Sequence, residues 1–432
     1  MNGSEFHQWQ IEGRIDALAA EISYWRAQTK TDNNFKRHHS QVDSFARIIE
    51  KLSASEDPRK GKAIEDASDA RERSRTVLGL FRIWQFLRGK LVQRTDEQFR
   101  EFLWIADEYA WLCYKPIYDS GLKQPPLVFL NGGYSPFTLT RQDEFQAESV
   151  PHELLGGKSL IAAMKSLPFP VIGVPWYQVR TLADLPVIGH EVGHSVEADL
   201  DLSDAIEKAI EGAVPNERFA KKWKGWASEV FADVYGCLGC GTAFVSALAS
   251  FLSSEDSDSG GAKYPPPALR FHLNLEVLRA LEADGVETVA SDWKDVYPIG
   301  PNWTEYSKDA CQVPRAILDH VVVRGKSLRD LIPFEEEAKR IETLTAAVRG
   351  KDRIEDREPM RALVAAYRLA FDKLRRTCGP KSIANELPRL MRLENAMKKL
   401  LKPDIRGGET AKPISAELVS ETAELWSGRL KG

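Results

Sequence analysis

Apolar residues recur every three or four positions over much of the chain, which is the spacing of one buried helical face. On the N-terminal side the stripe consists of Ile11, Ile15, Leu18, Ile22 and Trp25. On the C-terminal side, similar stripes run through residues 317–323, 360–371 and 387–401. The pattern predicts two helical regions, at residues 1–120 and 301–432.

The middle of the chain, residues 121–300, has short apolar runs between proline and glycine. Leu127–Leu130 follows two prolines and ends at Asn-Gly-Gly, a pattern that indicates a strand and a turn. Val171–Val174 is flanked by Pro170 and Pro175, and proline is disfavoured inside a central strand. We therefore predict an α-rich α+β fold with a small mixed sheet, in which Val171–Val174 is an edge strand.

The longest uncharged run, Val234–Ser254, superficially resembles a membrane span. A spanning helix needs about 20 predominantly apolar residues. This run is interrupted by Gly236, Gly239, Gly241 and several serines. It predicts two buried helices broken at the glycines, and no membrane segment.

Composition narrows the possible classes of protein. A chain of 432 residues with 43% hydrophobic residues is long enough for two or three domains with substantial cores, and a net charge of −4 gives no support to nucleic acid as a partner. Five scattered cysteines suit a reducing compartment, and the opening residues lack the apolar core of a signal peptide. We expect a cytoplasmic protein in which Cys237 and Cys240 are small packing residues.

The strongest chemical motif is His190-Glu191-x-x-His194. On a helix, two histidines four residues apart lie on one face, so both imidazoles can bind one cation. A glutamate directly after the first histidine can hold a water molecule beside that cation and accept its proton. The motif predicts His190 and His194 as metal ligands and Glu191 as a general base.

Zinc in catalytic sites usually has three protein ligands and one open position. Downstream, Glu229 and Asp233 are again four residues apart and share one helical face. Glu229 is the predicted third ligand, and Asp233 is the predicted acceptor for the second ring nitrogen of a ligating histidine. Asp233, Glu197 and Asp199 remain the alternative third ligands.

Together these residues resemble the motifs of the gluzincin metallopeptidases, the thermolysin-like and CAAX-protease-like zinc enzymes. The resemblance covers residues 125–280 and implies a zincin-like catalytic core, flanked by the two helical regions. It also implies Zn²⁺ on the two histidines and Glu229, and a substrate peptide bound along an edge strand. The metzincin pattern fits less well, because Glu197 and Leu200 occupy the positions of its glycine and third histidine.

A further segment, Tyr264-Pro-Pro-Pro-Ala-Leu-Arg270, matches a His-Pro-Pro-x-x-x-Arg pattern in soluble bacterial proteins with a similar zincin motif, except that tyrosine replaces histidine. Amide hydrolysis needs a hydrogen-bond donor for the developing oxyanion. Tyr264, Arg270 and His272 are the candidates. Arg270 could instead support Asp233 or Glu229, and His272 could simply pack.

The sequence thus predicts a zinc-dependent endopeptidase that acts on a peptide or protein substrate. The alternative is a non-catalytic zinc-binding regulatory or sensor protein that retains a zincin core. In either case, the helical regions could receive a regulatory partner.

Overall fold

The computed structural model describes residues 3–53, 70–118, 124–140, 168–257, 260–332, 334–349 and 359–378, with residues 416, 419 and 420. Over these residues the protein is rich in helix and contains a small mixed sheet of three strands, which confirms the predicted α-rich class with a mixed sheet. The apolar stripe at residues 387–401 lies outside the described residues.

The chain divides into two compact units that interleave along the sequence. Unit 1 comprises Met1–Asp107, Tyr118–Pro175 and Pro403–Gly432. Unit 2 comprises Glu108–Ile117 and Trp176–Lys402. Unit 1 thus takes its residues from three separate parts of the chain, and unit 2 from two.

Unit 1 contains helices and the three-stranded sheet. Its helices are α1 (Gly3–Thr31), α2 (His39–Ser53), α3 (Ala70–Leu91) and the residues up to Asp107 of α4 (Glu97–Tyr114), with short 3₁₀ segments at Lys36–His38 and Val92–Thr95. Its strands are β1 (Leu127–Asn131), β2 (Phe137–Leu139) and β3 (Val171–Pro175). Ile11, Leu18 and Ile22 of the predicted α1 stripe are buried in the core of this unit.

The prediction that Val171–Val174 forms an edge strand is wrong. Strand β3 lies in the centre of the sheet, parallel to β1 and antiparallel to β2. The prolines do not prevent this arrangement, because Pro170 precedes the strand and Pro175 is its last residue. With both edges of β3 paired, a substrate peptide cannot add to it as a further strand.

Unit 2 is built from helices. The first is the part of α4 that begins at Glu108. The others are α5 (Ile188–Leu200), α6 (Ser203–Ala213), α7 (Glu217–Gly225), α8 (Ala227–Cys240), α9 (Thr242–Leu252), α10 (Pro267–Ala280), α11 (Val286–Trp293), α12 (Pro301–His320), α13 (Leu328–Leu331), α14 (Phe334–Arg349) and α15 (Met360–Cys378). Short 3₁₀ segments cover Lys115–Ile117, Trp176–Arg180 and Leu182–Val187, and β4 (Val322–Val323) pairs with β5 (Lys326–Ser327) in a two-stranded hairpin.

The uncharged run Val234–Ser254 forms two buried helices, as predicted. Helix α8 ends at Cys240, and Gly241 adopts a φ of +56°, which glycine tolerates without the steric penalty of a side chain. Helix α9 begins at the next residue and is almost entirely buried. Among the described helices, none combines the length and the apolar character that crossing a membrane requires. Cys237 and Cys240 are buried free cysteines, as predicted.

Candidate metal centre

Two helices of unit 2 meet through small residues, and this contact positions the candidate site. A side chain at Gly193 of α5 would place its Cβ 2.8 Å from Cα of Ala232 in α8, and one at Gly189 would approach Cα of Gly236 at 3.5 Å. Gly189 therefore faces Gly236 while Gly193 faces Ala232, so the two helices run antiparallel. Only small residues permit so close an approach. It brings the histidines of α5 within reach of the acids of α8.

His190, His194 and Glu229 converge, and together they could hold a metal ion. The Nε2 atoms of the two histidines are 3.1 Å apart. From Glu229, Oε2 lies 3.4 Å from Nε2 of His190 and Oε1 lies 3.5 Å from Nε2 of His194. A tetrahedral zinc ion with ligands at about 2.05 Å requires neighbouring ligand atoms about 3.3 Å apart. The three side chains therefore have the spacing of ligands to one small divalent ion.

The chemistry of this donor set also fits a divalent ion. Two imidazoles and one carboxylate are common zinc ligands, and their side chains are only 7% (His190), 18% (His194) and 12% (Glu229) exposed. Burial strengthens the attraction between a carboxylate and a cation. Among the described residues, the group consists of these three side chains.

Asp233 contacts the ring nitrogen of His190 that does not face Glu229. Its Oδ1 lies 2.8 Å from Nδ1 of His190, which leaves Nε2 directed toward Glu229 and His194. Arg270 of α10 donates to both oxygens of Asp233, at 2.7 and 2.8 Å, and Nδ2 of Asn274 donates to Oδ2 at 2.9 Å. Such a carboxylate fixes the orientation and tautomer of a ligating histidine.

One guanidinium serves two acids at this site. Nη2 of Arg270 also lies 3.2 Å from Oε2 of Glu229. Because two buried carboxylates share one cation, the cluster keeps a surplus of negative charge when the histidines are neutral. Positive charge is therefore favoured between Glu229 and the histidines.

The pKa values of the cluster reflect the same surplus of negative charge. Burial alone would lower the pKa of His190, but hydrogen bonds with Asp233 and Glu229 outweigh it and raise that pKa to about 9. Burial alone would raise the pKa of Asp233, but Arg270 and His190 hold it at about 2. The pKa of Glu229 is held well below its usual value by His190, His194 and Arg270 despite its burial.

Glu191 and Tyr264 act electrostatically on the same cluster. Glu191 is 6% exposed. Burial alone would lower the pKa of His194, but the pKa is raised, mainly by Glu229 and to a smaller extent by the charge of Glu191. Tyr264 is 55% exposed. Its pKa is raised chiefly by the charge of Glu229, then by burial and to a smaller extent by Glu191, while Arg270 lowers it. The loop that carries Tyr264 is attached to the start of α8, because Gly261 bonds the carbonyl of Tyr264 and accepts from Nε1 of Trp226.

Three other candidates from the sequence, His272, Asp199 and Glu197, are not members of the metal-binding group of described residues. Nε2 of His272 hydrogen-bonds the carbonyl of Tyr297 at 3.1 Å, and its ring packs on Trp303. His272 follows Arg270 by two residues, so it points about 200° away from Arg270 around the helix axis. Of the alternative ligands, Asp199 accepts a hydrogen bond from the hydroxyl of Tyr114. Glu197 accepts from the hydroxyls of Ser203 and Ser228.

Two residues at the site were missed by sequence reasoning, Ser228 and Asn274. Asn274 lies one helical turn after Arg270, so its position could have been suspected from spacing. Ser228 directly precedes Glu229, and its Oγ lies 3.1 Å from Nδ1 of His194. No sequence signal distinguishes this serine from an ordinary helix residue.

In comparisons with known proteins, no family model, curated protein or solved structure matches the chain. The assignment of this site therefore depends on its own geometry.

Proposed function

We propose that this protein is a zinc-dependent hydrolase of peptide bonds. The observation that carries the proposal is the triangle of His190, His194 and Glu229, whose side chains have the spacing of zinc ligands. The buried Glu191 directly follows His190 in α5. A zinc ion in this triangle would acidify a bound water molecule and polarise a peptide carbonyl. A set of three protein ligands, rather than four, is typical of a catalytic zinc site.

Glu191 is the proposed general base. It follows the first ligand on α5, and its charge acts on His194 and on Tyr264. From there Glu191 accepts the proton of the attacking water and transfers it to the nitrogen of the leaving amine. Proton transfer by a positioned side chain accelerates a reaction about 100- to 10,000-fold.

Tyr264 is the proposed donor to the developing oxyanion. A tyrosine phenol is protonated at neutral pH, and the raised pKa of Tyr264 favours that form further. Its partial exposure leaves it accessible to a substrate. Arg270 is less suitable, because its Nε and Nη2 are both engaged with Asp233. We assign Arg270 to the support of Asp233 and give His272 no part in the reaction, because its ring nitrogen bonds the carbonyl of Tyr297.

A non-catalytic zinc-binding protein is the second candidate function. The observation in its favour is the burial of the three ligand side chains, since structural zinc sites are typically closed. In such a protein, zinc would stabilise the contact of α5 with α8, and the other helices would receive a regulatory partner. The two functions differ in whether peptide bonds are cleaved.

The test measures zinc content and peptide cleavage on the same variants. The full-length protein is loaded with zinc, assayed for metal by mass spectrometry, and incubated with a mixed peptide library with and without a chelator. We expect Glu191→Gln to retain zinc and to lose cleavage by about 100- to 10,000-fold. We expect His194→Ala to lose both, since it removes a ligand.

Glu217→Gln is the matched control, because Glu217 is an exposed glutamate at the start of α7. It should retain zinc and full cleavage. Cleavage that survives in Glu191→Gln would overturn the role of Glu191. Zinc binding without chelator-sensitive cleavage in the wild-type protein would favour the non-catalytic function.

A further inference from the structure

The two histidines of the cluster are supported in different ways. Nδ1 of His190 contacts a carboxylate directly, at 2.8 Å from Oδ1 of Asp233. Nδ1 of His194 instead faces a hydroxyl, Oγ of Ser228, at 3.1 Å. A ligating histidine almost always donates its second N–H to a carboxylate, a backbone carbonyl or water. The hydroxyl of Ser228 therefore needs an explanation.

Behind Ser228 lies a carboxylate. Oγ of Ser228 donates to Oε2 of Glu197 at 2.5 Å, and Oγ of Ser203 donates to Oε1 of the same residue at 3.1 Å. Glu197 is 8% exposed, so its charge is poorly screened by water. Helix periodicity brings Glu197 to this position, since it lies three residues after His194 on α5.

The direction of these hydrogen bonds determines the tautomer of His194. A serine hydroxyl has one proton, and here the proton goes to Glu197, because an ionised carboxylate can only accept. Oγ of Ser228 must therefore accept from Nδ1–H of His194. The Nε2 lone pair of His194 then points to the space that Glu229 and His190 share.

We propose that Ser228 and Glu197 are positioning residues for His194, in a relay that does for this ligand what Asp233 does for His190. The hydroxyl of Ser228 transmits the negative charge of Glu197 to the imidazole, which holds Nδ1 protonated and makes Nε2 a stronger ligand. The inference depends on the metal centre of the proposed function and not on peptide cleavage.

The test measures metal affinity of the full-length protein by competition with a chromophoric chelator, using Zn²⁺ and Co²⁺. Outer-shell partners of zinc ligands typically contribute 10- to 100-fold in affinity. We expect Ser228→Ala and Glu197→Gln each to weaken binding about tenfold, and the double variant to be no weaker than either single variant by more than about twofold. The d–d absorption band of bound Co²⁺ should shift in both single variants.

Two further variants separate the relay from a general structural effect. Ser228→Thr keeps the hydroxyl at an exposed position, so it should restore affinity to within about threefold of the wild type. Ser203→Ala removes the other hydroxyl from the same carboxylate without touching His194, and it should leave affinity and the Co²⁺ band unchanged.

Several outcomes would contradict the relay. Wild-type affinity in Ser228→Ala overturns the relay, and so does an equal loss in Ser203→Ala. A Ser228→Thr variant that is folded by circular dichroism yet as weak as Ser228→Ala also overturns it. If the wild-type protein binds neither ion, the metal centre itself fails, and with it the proposed function.

Discussion

Each unit of the protein buries an aspartate between an arginine and a histidine, and the surroundings of the two histidines differ. In unit 1, Oδ2 of Asp107 contacts Nη2 of Arg94 at 2.7 Å and Nε2 of His38 at 3.2 Å. In unit 2, Asp233 contacts Arg270 through both of its oxygens and Nδ1 of His190 through Oδ1. Contact among an aspartate, an arginine and a histidine therefore does not by itself identify a metal centre.

The difference lies at the second ring nitrogen of the histidine. Nδ1 of His38 faces the neutral amide oxygen of Gln41 at 2.8 Å, and burial, with Arg94 next, lowers the pKa of His38. Nε2 of His190 instead faces a second carboxylate, Glu229, and the pKa of His190 rises to about 9 despite burial. A second acid that the single arginine cannot neutralise therefore distinguishes the candidate metal centre from an internal salt bridge.

The largest expected effect is on the stability of unit 1. Asp107→Asn should lower the free energy of unfolding by about 3–5 kcal/mol, because it leaves the buried guanidinium of Arg94 without its carboxylate. Urea denaturation followed by circular dichroism measures the loss. Asp43→Asn is the control, since Asp43 pairs with the partly exposed Arg26 and Arg47, and it should lose about 1 kcal/mol or less. Equal losses would contradict this view of Asp107.

The affinity of the candidate centre for zinc should depend on pH. In the ion-free protein the pKa of His190 is about 9, so below pH 9 a divalent ion must displace a proton. Apparent zinc affinity should therefore fall by about tenfold per pH unit below 9 for each proton displaced. Chelator competition at pH 6, 7 and 8 measures this slope, and a flat profile would contradict it.

The stability of the ion-free protein should respond to pH with the opposite sign at His190 and at Asp107. The raised pKa of His190 stabilises the folded state fully below about pH 6.5, the unfolded value, and this contribution is lost as pH rises toward 9. Arg94 and His38 hold the pKa of Asp107 below its usual value despite burial. Its contribution is therefore complete above about pH 4 and is lost as pH falls further. Urea denaturation at pH 3 to 9 measures both limits.

A smaller effect is expected from Asp233→Asn on metal affinity. The substitution removes the charge behind His190, so zinc should bind about 10- to 100-fold more weakly. Asp309→Asn is the matched control, because Asp309 is a buried aspartate of α12 that accepts from Nε1 of Trp223. An equal loss in the control would mean that affinity reports general destabilisation of unit 2.

The smallest expected effect tests the comparison most directly. Gln41→Glu gives His38 a second acid, as Glu229 does for His190, and it should raise the pKa of His38 by about one unit through the added charge. NMR titration of the histidine Cε1–H resonances measures the change. Gln41→Met, which removes the amide oxygen without adding charge, should not raise that pKa. An unchanged pKa in Gln41→Glu would show that a second acid is insufficient.

The sequence by itself determined the local part of this protein. Spacings of three and four residues define one face of a helix, so they predicted the α1 stripe, the shared face of His190 and His194, and that of Glu229 and Asp233. The glycines of the uncharged run likewise predicted the break between α8 and α9, since Gly241 needs a positive φ. These features depend on backbone geometry that neighbouring residues share.

Only the tertiary structure decided which distant groups meet. It placed β3 between two strands, paired Arg270 with Asp233, and turned His272 toward Tyr297. It also joined Ser228 to Glu197, which lie on different helices. Such contacts depend on how closely helices pack, here through Gly193 against Ala232, and a pattern along one helix carries no information about its neighbour's register.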